Sequence, residues 1–293
     1  MGFMDMPLSG PVGRLEQLEP FVQRVLADNP SPYTFTGTQT YIVGAQEVAV
    51  IDPGPVEASH IEALLKALDG RRVVAIACTH THRDHSPAAQ ILKEKLGAPI
   101  IGCAPLVLDD SGPRADAAFD RTYKADAVLA DGDTITGVGW TLETVATPGH
   151  TSNHLCYHLQ DSGALFTGDH IMAWSTSVIS PPDGDMAAYM DSLQKLLDRP
   201  QDTIYYPAHG PAVERPHRLV RGMMGHRKQR EGQILRMLES GPQTIPDFVA
   251  AMYKGLDVRL HGAAGQSVLA HLMDLKVRMI VDESKDGQWS MAA

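Results

Sequence analysis

The run Thr79-His-Thr-His-Arg-Asp-His85 places two histidines, His80 and His82, two residues apart and follows them at once with Asp84 and His85. In extended backbone a spacing of two points both side chains to the same side. Three more candidates stand alone further on: His150 in Thr147-Pro-Gly-His150, Asp169 in Gly168-Asp169, and His209 in Pro207-Ala-His-Gly210. Imidazole and carboxylate are the donors that suit Zn²⁺, with bonds of about 2.0–2.2 Å, and they also serve iron and manganese. The competing reading is a set of separately hydrogen-bonded histidines with a surface charge cluster. It accounts for one histidine well. It accounts poorly for His-x-His-x-Asp-His joined by three further candidates.

Such donors converge only if rigid elements hold them, and each of the four places follows a strand-like run. Val73–Thr79 is continuously apolar and short, and Ser86 and Pro87 then suit the first positions of a helix reaching about Leu96. Trp140–Ala146, Ala164–Thr167 and Thr203–Tyr206 precede His150, Asp169 and His209, and His154–Leu159 is a further strand candidate. Upstream, Tyr41–Val43 and Glu47–Ile51 read as paired strands, stopped at Asp52-Pro-Gly-Pro55. Helical spacing of Ile61, Leu64, Leu65 and Leu68 predicts a helix over 57–68, Pro99–Gly102 reads as a strand, and another helix is expected near 186–198. Residues 1–20 read as a poorly defined lead-in, and 104–130 as loop with some helix. Strands interspersed with helices predict a layered α/β protein.

Residues 214–240 turn helical, with Gly222, Gly225 and Gly232 as weak points, and Gly241-Pro242 marks a boundary. Two units are expected, 1–240 and 241–293. The second holds a helix at 245–252, a longer helix near 263–277 and a strand pair turning at Asp286-Gly287. The length of 293 residues and the hydrophobic fraction of 43% suit a sizeable core plus a small appendage. A net charge of −10 gives no general pull toward nucleic acid or anionic membranes. No apolar run is long enough to span a bilayer. The N-terminus carries no basic stretch followed by an apolar one, so no secretory signal is expected. Cys78, Cys103 and Cys156 are too few and too odd for a disulfide framework. Cys78 and Cys156 read as buried, inert thiols, and a reducing cytoplasm is the expected compartment.

Taken in order, Thr79–His85, Thr147–Thr151, Gly168-Asp169 and Pro207–Gly210 resemble the successive metal motifs of the metallo-β-lactamase superfamily. The resemblance implies an αββα sandwich, two packed sheets with helices outside. It implies that His80, His82 and His150 hold a first metal, that Asp84, His85 and His209 hold a second, and that Asp169 bridges them. Zinc is the expected metal, with iron or manganese open. Redox flavo-diiron members typically carry Glu at the position of His82, so histidine there favours hydrolysis. Asp52 resembles the family's buried aspartate that orients a ligand imidazole, a simple turn cap being the other reading. His154 and His170 flank the motifs and are candidates for substrate contact or proton transfer. In that family's chemistry two metals about 3.5–4 Å apart lower the pKa of a shared water toward about 7, and hydroxide attacks a carbonyl or phosphoryl centre. Asp84 would bind metal and could relay a proton. No Ser or Cys nucleophile is needed.

The stretches Asn29–Tyr41 and Leu260–Leu272 are similar to lactamase-β-like hydrolases with a C-terminal winged helix, a subgroup whose metal motifs also resemble those of glyoxalase II. Gln39 departs from the Asn often found at its position, which leaves a substrate contact there open. Some relatives in the subgroup cleave single-stranded RNA, and Arg215, Arg218, Arg221, Arg227, Lys228, Arg230 and Arg236 could track phosphates along one helix. A solvated helix face covering the main domain is the competing reading, favoured by the overall acidity and by the lack of an aromatic stacking platform in the tail. The tail could equally cover the active-site mouth or meet a second subunit in a homo-oligomer. The leading expectation is a hydrolase of an ester, thioester or similar acyl small molecule. A single-strand endoribonuclease or phosphodiesterase is the alternative, and a nucleic-acid-binding protein with a vestigial site is the third.

Overall fold

The computed structural model describes residues 10–108 and 119–292. The first sheet opens as an antiparallel meander of β1 (Leu15–Glu19), β2 (Val22–Leu26), β3 (Gln39–Gly44) and β4 (Glu47–Ile51). It continues in parallel through α1 (Ala58–Ala67), β5 (Arg72–Cys78), α2 (Ala88–Leu96), β6 (Ile100–Gly102) and β7 (Ala127–Val128). The seven strands lie side by side in chain order. The second sheet contains β8 (Thr134–Gly137), β9 (Trp140–Ala146), β10 (Leu155–Leu159), β11 (Ala164–Gly168) and, after α3 (Met186–Leu197), β12 (Ile204–Pro207). Its strands run antiparallel except for the β11–β12 pair, where α3 makes the crossover that parallel strands require.

The core fills the space between the sheets. Ile42, Val50 and Ile76 from the first sheet meet Leu142, Tyr157 and Phe166 from the second. Every residue of β3, β10 and β11 is buried, so these strands lack alternation because both of their faces are covered. Buried polar tips of core aromatics find backbone partners across the sandwich: Tyr157 Oη donates to the Cys78 carbonyl at 2.8 Å, and Trp140 Nε1 to the Glu47 carbonyl at 2.8 Å.

α4 (Pro216–Leu238) leaves the sandwich as one continuous helix, glycines included. The tail follows with α5 (Ile245–Met252), α6 (His261–Val277), β13 (Val281–Glu283) and β14 (Trp289–Met291). A capping box starts α5: the Thr244 amide donates to Asp247 at 2.9 Å and the Asp247 amide to the Thr244 hydroxyl at 3.4 Å. The tail's own core gathers Phe248, Leu272, Val281 and Trp289, and Ile234 and Leu238 at the end of α4 belong to it. No described helix is long and apolar enough to cross a membrane.

Several elements differ from expectation. The supposed lead-in over residues 1–20 carries β1, its first nine residues lying outside the described ones, and β2 follows it unanticipated. Their short runs Leu-Glu-Gln-Leu-Glu and Val-Gln-Arg-Val-Leu gain their order by pairing, β1 with β2 and β2 with β3. The helix anticipated within 104–130 falls partly on 109–118, outside the described residues, and the described remainder carries β7, turns and a β-bridge from Phe119 to His82. Ser86 does not cap α2. Its hydroxyl donates to Asp120 Oδ2 at 3.0 Å, and Pro87 occupies the cap position.

Candidate metal centre

β4 and β5 run parallel in one sheet, and β9, β11 and β12 share a direction in the other. The loops leaving these strands therefore emerge at one edge of the sandwich, where all seven donors meet. His80, His82, His150 and Asp169 offer atoms lying within 4.8 Å of one another, and so do Asp84, His85 and His209. In the first group His82 Nδ1 is 3.0 Å from His80 Nε2 and 3.2 Å from His150 Nε2. In the second, His209 Nε2 is 3.1 Å and His85 Nε2 is 3.5 Å from Asp84 Oδ2. Asp169 faces both groups. Its Oδ1 is 3.2 Å from His209 Nε2 and 3.6 Å from His85 Nε2, whereas its Oδ2 is 3.7 Å from His150 Nε2.

Two glycines allow this approach. Gly149, just before His150, has φ +135°, and a Cβ there would stand 2.4 Å from Tyr189 Cα in α3. Gly168, just before Asp169, has φ +49°, and a Cβ there would lie 2.7 Å from both Thr79 Oγ1 and His154 Nε2.

The far side of each ring is held as well. Asp52, itself in the left-handed region at φ +48°, accepts the His85 Nδ1 proton on Oδ2 at 2.9 Å. The same carboxylate accepts from Thr79 Oγ1 at 2.8 Å and from the Thr79 amide at 2.7 Å, and the Thr79 hydroxyl in turn lies 3.0 Å from His80 Nδ1. One aspartate thus orients a ring in each group, directly for His85 and through Thr79 for His80. The Val178 and Gly37 carbonyls accept from Nδ1 of His150 and His209 at 2.6 and 3.1 Å. These bonds fix the tautomers that leave Nε2 of His80, His85, His150 and His209 facing the centre.

Electrostatics separate the two halves. Burial, then the neighbouring His85 and His82, hold the His80 ring well below its ordinary pKa, and burial with His150 pushes His82 down to about 3. Burial works to raise Asp84 and Asp169, but the His85 and His209 rings outweigh it and keep both ionised. His85 is raised because Asp84, Asp169 and Asp52 overcome its burial. His85 Nε2, His209 Nε2 and Asp169 Oδ1 are buried without a well-aligned hydrogen-bond partner. Unpartnered donor atoms of the right kinds, aimed at one point beside carboxylates that call for positive charge, fit a divalent cation.

His154 and His170 do not reach the open site. His154 Nδ1 bonds the Thr147 hydroxyl at 2.9 Å, and its Nε2 accepts the Asp169 amide at 3.2 Å, so it braces the Asp169 loop. His170 is wholly buried, 4.8 Å from the Tyr189 ring by centroid. Gln39 is also buried. Its Nε2 donates to the Pro207 and Gly210 carbonyls at 3.0 and 2.6 Å, tying β3 to the His209 loop. The three cysteines are buried, and burial pushes Cys156 up to about 12.

A cavity of about 570 Å³ opens over the donors. His82, Asp84, His150 and Asp169 form its floor, and Tyr33, Met172 and Val178 contribute to its walls. Gly262, Ala263 and Gln266 of α6 complete it, so the tail lines the site without supplying a donor. These wall residues were missed in the sequence, because nothing local marks a residue that faces a cavity across a domain contact.

The chain belongs to the metallo-beta-lactamase superfamily, whose model matches residues 33–209, and the beta-lactamase associated winged helix domain matches residues 244–289. Among similar proteins, an atrochrysone carboxyl ACP thioesterase of Passalora fulva is 34% identical over 93% of this chain and 79% of its own length. The lactamase-like protein adaB of Aspergillus niger is 31% identical over 83% of this chain and 76% of its own. A beta-lactamase domain protein from Burkholderia ambifaria has the same fold, with TM-score 0.81 at 19% identity, covering 99% of this chain and 96% of that one. The protein is a metal-dependent hydrolase of this superfamily.

Proposed function

We propose that the protein hydrolyses an acyl thioester or a related acyl ester, using two metal ions. His80, His82 and His150 would hold one, Asp84, His85 and His209 the other, and Asp169 would touch both. Zinc is the metal that this donor set favours. The observation that carries the acyl reading is the cavity. Its floor is polar, its walls include Tyr33, Met172, Val178 and Ala263, and no Lys or Arg lines it among the described residues. Apolar walls over a polar floor suit an acyl chain with its carbonyl at the bottom. A polyanionic nucleic acid would find no basic side chain in this lining and would meet Asp183 there. The basic helix offers less than its composition suggests, since Arg227 is buried and Arg230 lies over the Tyr253 ring at 4.6 Å. The relative named as a thioesterase supports the same reading.

Bound there, the metals would supply Lewis acidity and a nucleophilic water at neutral pH. The protein's own part is positioning and proton handling. Asp52, Val178 and Gly37 keep the imidazoles aimed. The Asp84 side chain, 27% exposed against 12% for Asp169, is the carboxylate open enough to accept a proton from the attacking water and return it to the departing group.

Elemental analysis of protein purified without chelator is expected to find about two equivalents of metal per chain. Hydrolysis of an acyl thioester is expected to vanish on chelation and return with added zinc. Metal content near zero with no gain on adding zinc, or cleavage of single-stranded RNA with no thioester turnover, would overturn the proposal.

A further inference from the structure

Arg227 projects from α4 into the body of the protein and is 3% exposed. Its Nη2 donates to the Ser177 carbonyl, and its guanidinium carbon lies 5.2 Å from the centroid of the Tyr189 ring. Its Nε is buried with no hydrogen-bond partner, and among the described residues no carboxylate forms an ion pair with it. The neighbouring titratable rings do not compensate it. Burial, then Arg227, pushes His271 down to about 3, and burial with Arg227 and Arg230 also lowers His226. A guanidinium taken out of water without an anion is costly, and such groups are normally paired.

This arginine lines a second cavity of about 410 Å³. Phe35 and Trp174, stacked with centroids 5.3 Å apart, form part of its wall with Tyr253 and Leu260. The cavity adjoins the one over the donors, and Tyr33, Met172, Val178 and Ala263 border both. A molecule with its carbonyl at the metal floor would find apolar walls next and a positive charge beyond them.

We propose that Arg227 and this second chamber bind an anionic group carried on an apolar or aromatic part of the substrate. The kinetic part of the test rests on the acyl-hydrolase reading, and the binding part does not. Arg227 also braces the site: the Ser177 hydroxyl donates to the Asp169 carbonyl at 2.6 Å, and the next residue, Val178, holds His150. That role uses one of the five N–H donors of an arginine.

The anion could sit on the acyl group or on the thiol it leaves with, so two substrate pairs are needed. One is an aryl-acyl thioester bearing a ring carboxylate, against the same compound as the carboxamide. The other is a neutral acyl thioester of a phosphorylated thiol, against its hydroxyl counterpart. In one pair the charged member is expected to be favoured in kcat/KM by roughly 10- to 100-fold, the scale of a charge-assisted contact. Arg227→Met should bring that ratio near one, and Arg227→Lys should keep part of it. A bracing role alone would lower both members equally and leave the ratio unchanged. Independently of turnover, calorimetric titration of the metal-loaded full chain should show tighter binding of 2-naphthoate than of 2-naphthamide, with the preference reduced in Arg227→Met. Carboxylate binding at the metals is common to both proteins when they are compared at equal measured metal content, so the difference between them is the measurement. No Arg227-dependent preference in either substrate pair or in the titration would overturn the proposal.

Discussion

Asp169→Ala is expected to lower kcat/KM by roughly a thousandfold, and Asp52→Ala by about 10- to 100-fold. The difference follows from what each carboxylate touches. Asp169 presents Oδ1 to His209 and His85 and Oδ2 to His150, so removing it strips a donor from both groups. Asp52 offers no atom to either donor group and acts from behind the rings, on His85 directly and on His80 through Thr79. Metal content measured beside the kinetics should fall for both variants, further for Asp169→Ala. If Asp52→Ala proved the more damaging while circular dichroism showed an intact fold, the roles given to the two aspartates would be reversed.

Gly149→Ala is expected to destabilise the protein by about 3 kcal/mol or more and to weaken metal binding. The left-handed backbone alone costs a residue with a Cβ about 1–2 kcal/mol, and forced overpacking about 1–3 kcal/mol. The new methyl would stand 2.4 Å from Tyr189 Cα and 2.5 Å from its backbone nitrogen, so neither a rotamer change nor a flexible tip can relieve the contact. Either α3 shifts or His150 leaves its place. Gly222→Ala is the control: this glycine is in α4 with nothing within 4 Å of an added Cβ, and the substitution should stabilise the helix by roughly 0.5–1 kcal/mol. Thermal melts of the two variants should therefore move in opposite directions. An unchanged melt for Gly149→Ala would show that the close approach to α3 is not enforced.

The donors were legible because their spacing is dense and each loop follows a strand whose apolar run is easily read. β5 and β9 stand where Val73–Thr79 and Trp140–Ala146 placed them, within a residue. β1 and β2 were not legible, because five-residue strands with charged neighbours carry little pattern of their own. Arg227 was read with six other basic residues as one cluster, yet a signal separated it. Val220, Met223, Arg227, Ile234 and Leu238 recur at helical spacing, and all five are buried. The charge sits on the apolar stripe, where a phosphate-tracking residue would not. The wall that α6 gives the cavity depends on contact between segments far apart in the chain, which no local pattern encodes.

The division of labour across the cavity has a consequence for how such an enzyme could diversify. Its floor is written in strand-end loops before residue 210, and part of its ceiling in Gly262, Ala263 and Gln266. Part of what sets the width of the chamber is therefore encoded apart from the donors. Larger side chains at 262 and 263 would narrow the chamber without touching a donor. A graft of the whole appendage from a relative would have to bring the last turns of α4 with it, since Ile234 and Leu238 are packed into the core of that appendage. The seam along which this protein could be recombined thus lies inside a helix, upstream of the Gly241-Pro242 pair where the sequence itself changes character.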